Sequence, residues 1–499
     1  MRRDLSTSGA TALAAIFLTL WSALAVRYVR AHGWQYLYGD AESHLNIARR
    51  ITDSLTPGYH EVGTVWLPLP HWLMLPFAQN DALWRNGLAG AIPSALCFIL
   101  AGIWFFVAVR RAFHSMAAAA AATALLALNP NLAYLQSTAM TEAVFLACLA
   151  GVLYASVCFA ERPALPSAAA AGVAALAGTL TRYEGWFLIP FVVIYFLAVG
   201  KNRRISGALL FTAIAALGPL FWFGHNRWLT GDWLAFYRGP YSALTIQAGS
   251  SYPGLHNWRE AMLYFATAAR LCAGWPLALL GIAGLIAALG KKIVWPVVLL
   301  ALPGVFYIWS MHSSGATPIY VPVLRPFTFY NTRYGLSLLP FAALTAAALV
   351  AAFDSERTRT TARIAACVIV VLAALPWILR TPCITLQESE VNSAARQQWT
   401  AQAADFLASR YRAGAGIVSS SGDVNGIYRH AGIPLRETLS VDNDLLYLAP
   451  LQRPDYLRET WAVIRENDPM RQSLLANGHY TLELRIVVKD APAIEIYRR

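Results

Sequence analysis

From its start to about residue 380 the chain alternates long apolar runs with short polar breaks, and beyond that point the pattern ends. A bilayer core takes about 20 helical residues to cross, and a lone segment in hydrocarbon satisfies its backbone only as a helix. Eleven runs predict such helices, at 11–29, 88–109, 116–134, 141–160, 167–181, 185–200, 205–224, 269–289, 293–310, 334–353 and 362–379. The first run carries Ala23-Leu24-Ala25, which would suit a signal-peptide cleavage site, but its length favours a spanning helix. Past residue 380 the periodicity changes, to a helix over 393–411, a strand over 417–420 and a β-rich end over 480–497. The expected fold is an α-helical polytopic membrane domain over 1–380 and a small α/β domain over 381–499. Between the runs lie three long connections, 30–87, 225–268 and 311–333, rich in Trp, Tyr, His and Pro.

Composition agrees with a bilayer as the main solvent. Of 499 residues, 57% are hydrophobic and 13% charged, about half the charge of an ordinary soluble domain. The formal net charge is +12, and all of the excess basicity falls in the apolar part. That distribution argues against nucleic acid as a partner and for orientation in a membrane or anionic ligands. Basic residues sit on alternate connections: Arg2 and Arg3, Arg110 and Arg111, Arg162, then Lys201, Arg203 and Arg204, Lys291 and Lys292, and finally Arg357, Arg359 and Arg363. By the positive-inside rule this predicts a cytoplasmic N-terminus, with the long connections and the tail on the outer side. The six cysteines form no CxxC pair, so neither a disulfide framework nor a zinc cluster is expected.

Several residues could carry chemistry. A helix beginning near Asp40 places Asp40 and His44 on one face, as a helix cap or as paired site groups. Glu42 stands beside them. Further along, Trp66-Leu67-Pro68-Leu69-Pro70-His71 holds its backbone extended through two prolines and predicts a rigid wall ending at His71. Arg85 precedes the second run and Glu142 opens the fourth. In Thr181-Arg182-Tyr183-Glu184-Gly185-Trp186, Arg182 and Glu184 lie at or just above membrane depth, where ionisable groups are costly and usually functional. Arg333-Tyr334 repeats the Arg-Tyr pair at the start of the tenth run, and Arg238 lies in the second long connection. An arginine at this level can fork onto a phosphate. In the tail, Gly422-Asp423 and Asp442-Asn443-Asp444 read as turns.

Taken in order, these pieces resemble the C-type superfamily of membrane glycosyltransferases, which includes protein O-mannosyltransferases and bacterial aminoarabinose transferases. The resemblance covers about residues 10–350: an acidic first-loop helix, a proline segment, an arginine before the second run, Thr-Arg-Tyr-Glu-Gly, and a late Arg-Tyr. Aligned on Ile47-Ala48-Arg49, Asp40 takes the place of the family aspartate, while Ala41 stands where a glutamate is common and Glu42 is displaced by one. Where aminoarabinose transferases carry a lysine before the prolines, this chain has Trp66 and Leu67.

The resemblance implies a polyprenyl-phosphate-linked sugar as donor and a glycan, glycolipid or protein as acceptor, at the outer face of the cytoplasmic membrane. Asp40 would act as general base on an acceptor hydroxyl, with inversion at the sugar. Glu42, His44, His71, Arg85, Glu142, Arg182, Glu184, Arg238, Arg333 and Tyr334 are the expected substrate-binding residues, with arginines compensating the leaving phosphate. No cofactor is required. A divalent Mg or Mn ion is an option for which Asp40, Glu42 and Glu142 could offer oxygens. Two other classes fit the hydropathy: a transporter of lipid-linked sugars, which would be expected to show internal repeats, and a non-catalytic envelope assembly protein.

Overall fold

The apolar runs become helices here, several of them continuing through an internal proline such as Pro93 or Pro303. The computed structural model describes residues 7–499 apart from Ser421, so Arg2 and Arg3 lie outside the described residues. Among the described residues seven helices are long and apolar enough to cross a membrane: Ser8–Ala31, Leu88–Phe113, Glu142–Glu161, Lys201–Thr230, Val294–Ser313, Thr332–Ala352 and Arg359–Ile378. An eighth candidate is a broken pair, Trp258–Ala273 and Trp275–Gly290, bent by 110°. The break falls at Gly274, whose φ of 81° favours glycine, followed by Trp275-Pro276.

The expected count of eleven is therefore not reached, and the reasons are local. The run at 116–134 stops at Ala127, because the Asn129 side chain caps a new short helix at Pro130–Leu135. The runs at 167–181 and 185–200 form the helices Leu165–Thr179 and Glu184–Val199, of 15 and 16 residues. At 1.5 Å per residue these fall short of a hydrocarbon core about 30 Å thick.

The chain divides into two compact units. The first comprises Met1–His32, Thr64–Pro70 and Ile92–Glu388, and holds the long apolar helices apart from the first four residues of Leu88–Phe113. Its proline segment is anchored by backbone acceptors and donors: the Tyr183 hydroxyl donates to the Val65 carbonyl at 2.7 Å, and the Leu69 amide donates to the Leu180 carbonyl at 3.0 Å.

The second unit joins Gly33–Gly63 and His71–Ala91, both from the first long connection, to Ser389–Arg499. Its sheet has the order β2-β1-β3-β5-β4, with β1 Ile417–Ser419, β2 Thr438–Leu439, β3 Trp461–Arg465, β4 Thr481–Ile486 and β5 Ile494–Arg498. β1 runs parallel to β2 and β3, while β5 pairs antiparallel with β3 and β4. Val418, Ala462, Ile464, Met470 and Leu474 are fully buried in its core. The helix Ile384–Ala408 begins earlier than the expected 393–411.

Charged pairs fasten the loop segments to this sheet domain. Arg50 pairs with Asp442, Arg436 with Asp53 at 2.9 Å, and Asn443 Nδ2 donates to Ser54 and Thr56 at 3.1 and 3.0 Å. Asn443 also closes a capping box with Ser440, so the turn read at 442–444 doubles as a fastening point.

Candidate functional site

Four residues read from three separate motifs meet in the first unit. Glu142 opens the helix Glu142–Glu161, Arg182 sits in the break between Leu165–Thr179 and Glu184–Val199, and Arg333 with Tyr334 starts the 3-10 segment Thr332–Leu338. With Glu184 and Tyr307 they line one side of a cavity of about 480 Å³, part of it open to solvent, faced by Phe145, Leu146 and Leu149.

Arg182 is the hub. Its Nε donates to Glu184 at 2.8 Å, one Nη to Thr141 at 2.7 Å and to Glu142 at 3.3 Å, and the other to the Tyr307 hydroxyl at 2.6 Å. Tyr307 in turn donates to Glu184. Arg333 approaches the same Glu142 oxygen from its Nε at 3.4 Å and lies 3.9 Å from Glu388. Glu388 accepts the backbone amides of Thr332 and Arg333, at 3.3 and 3.1 Å, and so fixes where Arg333 begins. Both guanidiniums lie over the Tyr334 ring, at 5.3 and 5.2 Å, a cation–π arrangement that holds two like charges on one support.

Asp40 lies half-buried in the first turn of the loop helix Gly39–Arg50, in the second unit; the N-cap is Tyr38, so Asp40 is not the cap. Its neighbour Glu42 is buried and pairs with Arg429 at 3.2 Å, while Arg429 stacks on the Tyr36 ring at 3.4 Å. A Cβ at position 426 would lie 2.9 Å from the Glu42 carboxylate, so Gly426 permits this approach. His44 and His71 form a buried pair, Nδ1 to Nε2 at 2.9 Å. Burial, with help from His44 and Arg50, holds His71 well below the usual histidine range, and its Nδ1 has no hydrogen-bond partner. Nearby, burial pushes the Glu61 carboxyl up, with Arg50 opposing.

The other two arginines of the expected set, Arg85 and Arg238, are exposed. Arg85 is exposed and donates to the Gly432 carbonyl at 3.0 Å. Arg238 is 60% exposed and closes a two-pronged pair with Asp232 at 2.7 Å. Among the described residues no three His, Cys, Asp or Glu gather as a metal-ligand set, and Glu42 and Glu142 already face guanidiniums. Sequence reasoning passed over Tyr307, Glu388 and Arg429. Tyr307 is one of two hydroxyls inside an apolar run, and Glu388 and Arg429 are ordinary charges in a soluble-looking tail.

With this geometry in place, the comparisons with known proteins fall into one pattern. Residues 68–225 match the family model for dolichyl-phosphate-mannose-protein mannosyltransferase. No curated protein matches the sequence. Among solved structures, ArnT from Cupriavidus metallidurans in the apo state superposes with a TM-score of 0.62 at 14% identity, covering 97% of each chain. The same protein bound to undecaprenyl phosphate gives 0.55 at 14% identity, over 96% of this chain and 98% of that one. The mannosyltransferase family and ArnT are both glycosyltransferases. The chain is a multi-pass membrane protein with the C-type glycosyltransferase fold.

Proposed function

We propose that this protein transfers a sugar from a polyprenyl-phosphate carrier to an acceptor hydroxyl at the outer face of the cytoplasmic membrane. The observation that carries the reading is the cavity of the first unit. There, two arginines from distant segments converge beside an apolar wall within a fold shared by a protein that binds undecaprenyl phosphate. Guanidiniums recognise phosphate oxygens through paired donors, and apolar side chains suit a prenyl tail.

In the proposed reaction Asp40 removes the proton of the acceptor hydroxyl as its oxygen bonds to the anomeric carbon. The bond from that carbon to the phosphate oxygen breaks with inversion, and the phosphate leaves with the electron pair. A positioned carboxylate contributes about 10² to 10⁴ in rate, and Arg182 and Arg333 would stabilise the developing phosphate charge. The acceptor would be a glycan, a glycolipid or a protein. The basic connections, including Lys291 and Lys292, support a cytoplasmic N-terminus and an outer second unit.

Asp40→Asn tests the base directly, with sugar transfer from a polyprenyl-phosphate carrier measured on the purified full chain. Loss of transfer with an unchanged thermal midpoint is expected. Transfer at the wild-type rate would remove Asp40 from the mechanism.

A further inference from the structure

Resting on that transferase reading, the geometry points to Glu142 as an internal anion that keeps the place of the carrier phosphate and yields it when the donor arrives. Among the described residues lining the cavity, Arg182 and Arg333 are the cations, and both reach the same oxygen of Glu142, at 3.3 and 3.4 Å. Charge-assisted N–H···O bonds ordinarily measure about 2.7–2.9 Å, so this carboxylate is loosely held. Its other oxygen, Oε2, is buried with no hydrogen-bond partner. Glu184, one helix away, is served quite differently, by Arg182 Nε at 2.8 Å and by the Tyr307 hydroxyl.

A buried carboxylate with one bare oxygen and two long contacts is poorly compensated for its lost hydration. A phosphate at the same spot offers more oxygens in a geometry that two guanidinium forks can grip together. The place itself favours an anion, because Glu142 lies at the N-terminal end of a 20-residue helix, where the amide dipoles point their positive end. The donor phosphate therefore replaces Glu142 between the guanidiniums, and Glu142 swings away. After transfer, its return competes with the product phosphate and drives release of the spent carrier.

The test is binding of undecaprenyl phosphate to the full chain in nanodiscs, with thermal unfolding run on every variant. Glu142→Gln removes the competing charge and is expected to bind the lipid about tenfold more tightly, with multiple-turnover transfer slowed by retained product. Equal or weaker binding overturns the inference. Glu142→Asp keeps the charge but draws it back by one methylene, so it should fall between wild type and Glu142→Gln. It decides the matter if Glu142→Gln does not fold, weaker binding than wild type again being fatal. Arg333→Gln separates the two levels of the argument. If wild type binds the lipid and Arg333→Gln does not, the phosphate site stands whatever Glu142 does. If wild type shows no binding and Arg333→Gln changes nothing, the transferase reading falls and the role of Glu142 falls with it.

Discussion

The two units both bury arginine–carboxylate networks, yet they finish them differently. In the second unit the bonds around Arg49 are completed: it reaches Asp53 and Asp81 at 2.6 Å and the Ala78 carbonyl at 2.8 Å, while lying over Trp84. Asp53 also accepts from Arg436, and Glu42 is enclosed by Arg429. In the first unit the same residue types stop short, leaving a cavity and a carboxylate oxygen with nothing bound to it. A saturated network fixes a shape, whereas an incomplete one in a cavity leaves bonding capacity for a ligand. The second unit has unfilled valences of its own, at Glu61 Oε2 and His71 Nδ1; what sets the first apart is that its bare carboxylate oxygen belongs to a residue lining the cavity.

The strongest way to break this contrast is to remove a scaffold charge. Glu42→Ala leaves Arg429 buried without its carboxylate and should destabilise the second unit by about 3–5 kcal/mol. Thermal unfolding, or protease sensitivity of Ser389–Arg499 in the full chain, would show it. A change no larger than that of Glu142→Gln would erase the distinction between the two networks.

A smaller effect comes from pH. His71 is held neutral in the folded protein but takes a proton near its ordinary pKa when unfolded. The unfolded chain thus binds more protons as pH falls through about 6.5, and the stability of the second unit should drop by up to about 1.4 kcal/mol per pH unit below that value. Unfolding midpoints from pH 7.5 to 5.5, compared between wild type and His71→Gln, measure the slope; equal slopes would mean that another group titrates. Smallest of all, Arg238→Ala should leave both the unfolding midpoint and the transfer rate unchanged, because the pair with Asp232 is exposed and screened by solvent. A loss of transfer there would move the phosphate contact away from the cavity.

How far the sequence reveals this depends on the reach of each interaction. Hydropathy locates the apolar helices because the signal is local, but the capping of Pro130–Leu135 by Asn129 and the bend at Gly274 shorten or break runs of equal apolarity. Arg182 and Glu184 stand out because charges are rare in such surroundings, and Glu142, Arg333 and Tyr334 could be picked out at the ends of apolar runs. Tyr307 could not, since its hydroxyl acquires meaning only when helix packing brings it to Arg182 and Glu184. Glu42 reads as a site acid by its nearness to Asp40, while the partner that commits it, Arg429, stands 387 positions away. No local pattern announces a contact of that range.

That distance bears on how the protein is made. The ribosome delivers Glu42 and Asp53 early, and their partners Arg429 and Arg436 only after nearly all of the membrane helices have been inserted. Until then Asp53 has only Arg49 of its own loop and Glu42 lacks Arg429, so the second unit is completed late in synthesis. A nascent chain released before Arg429 would carry the long apolar helices and a first loop without its partners from the tail. Closure of these ion pairs would then report that synthesis has passed Arg436.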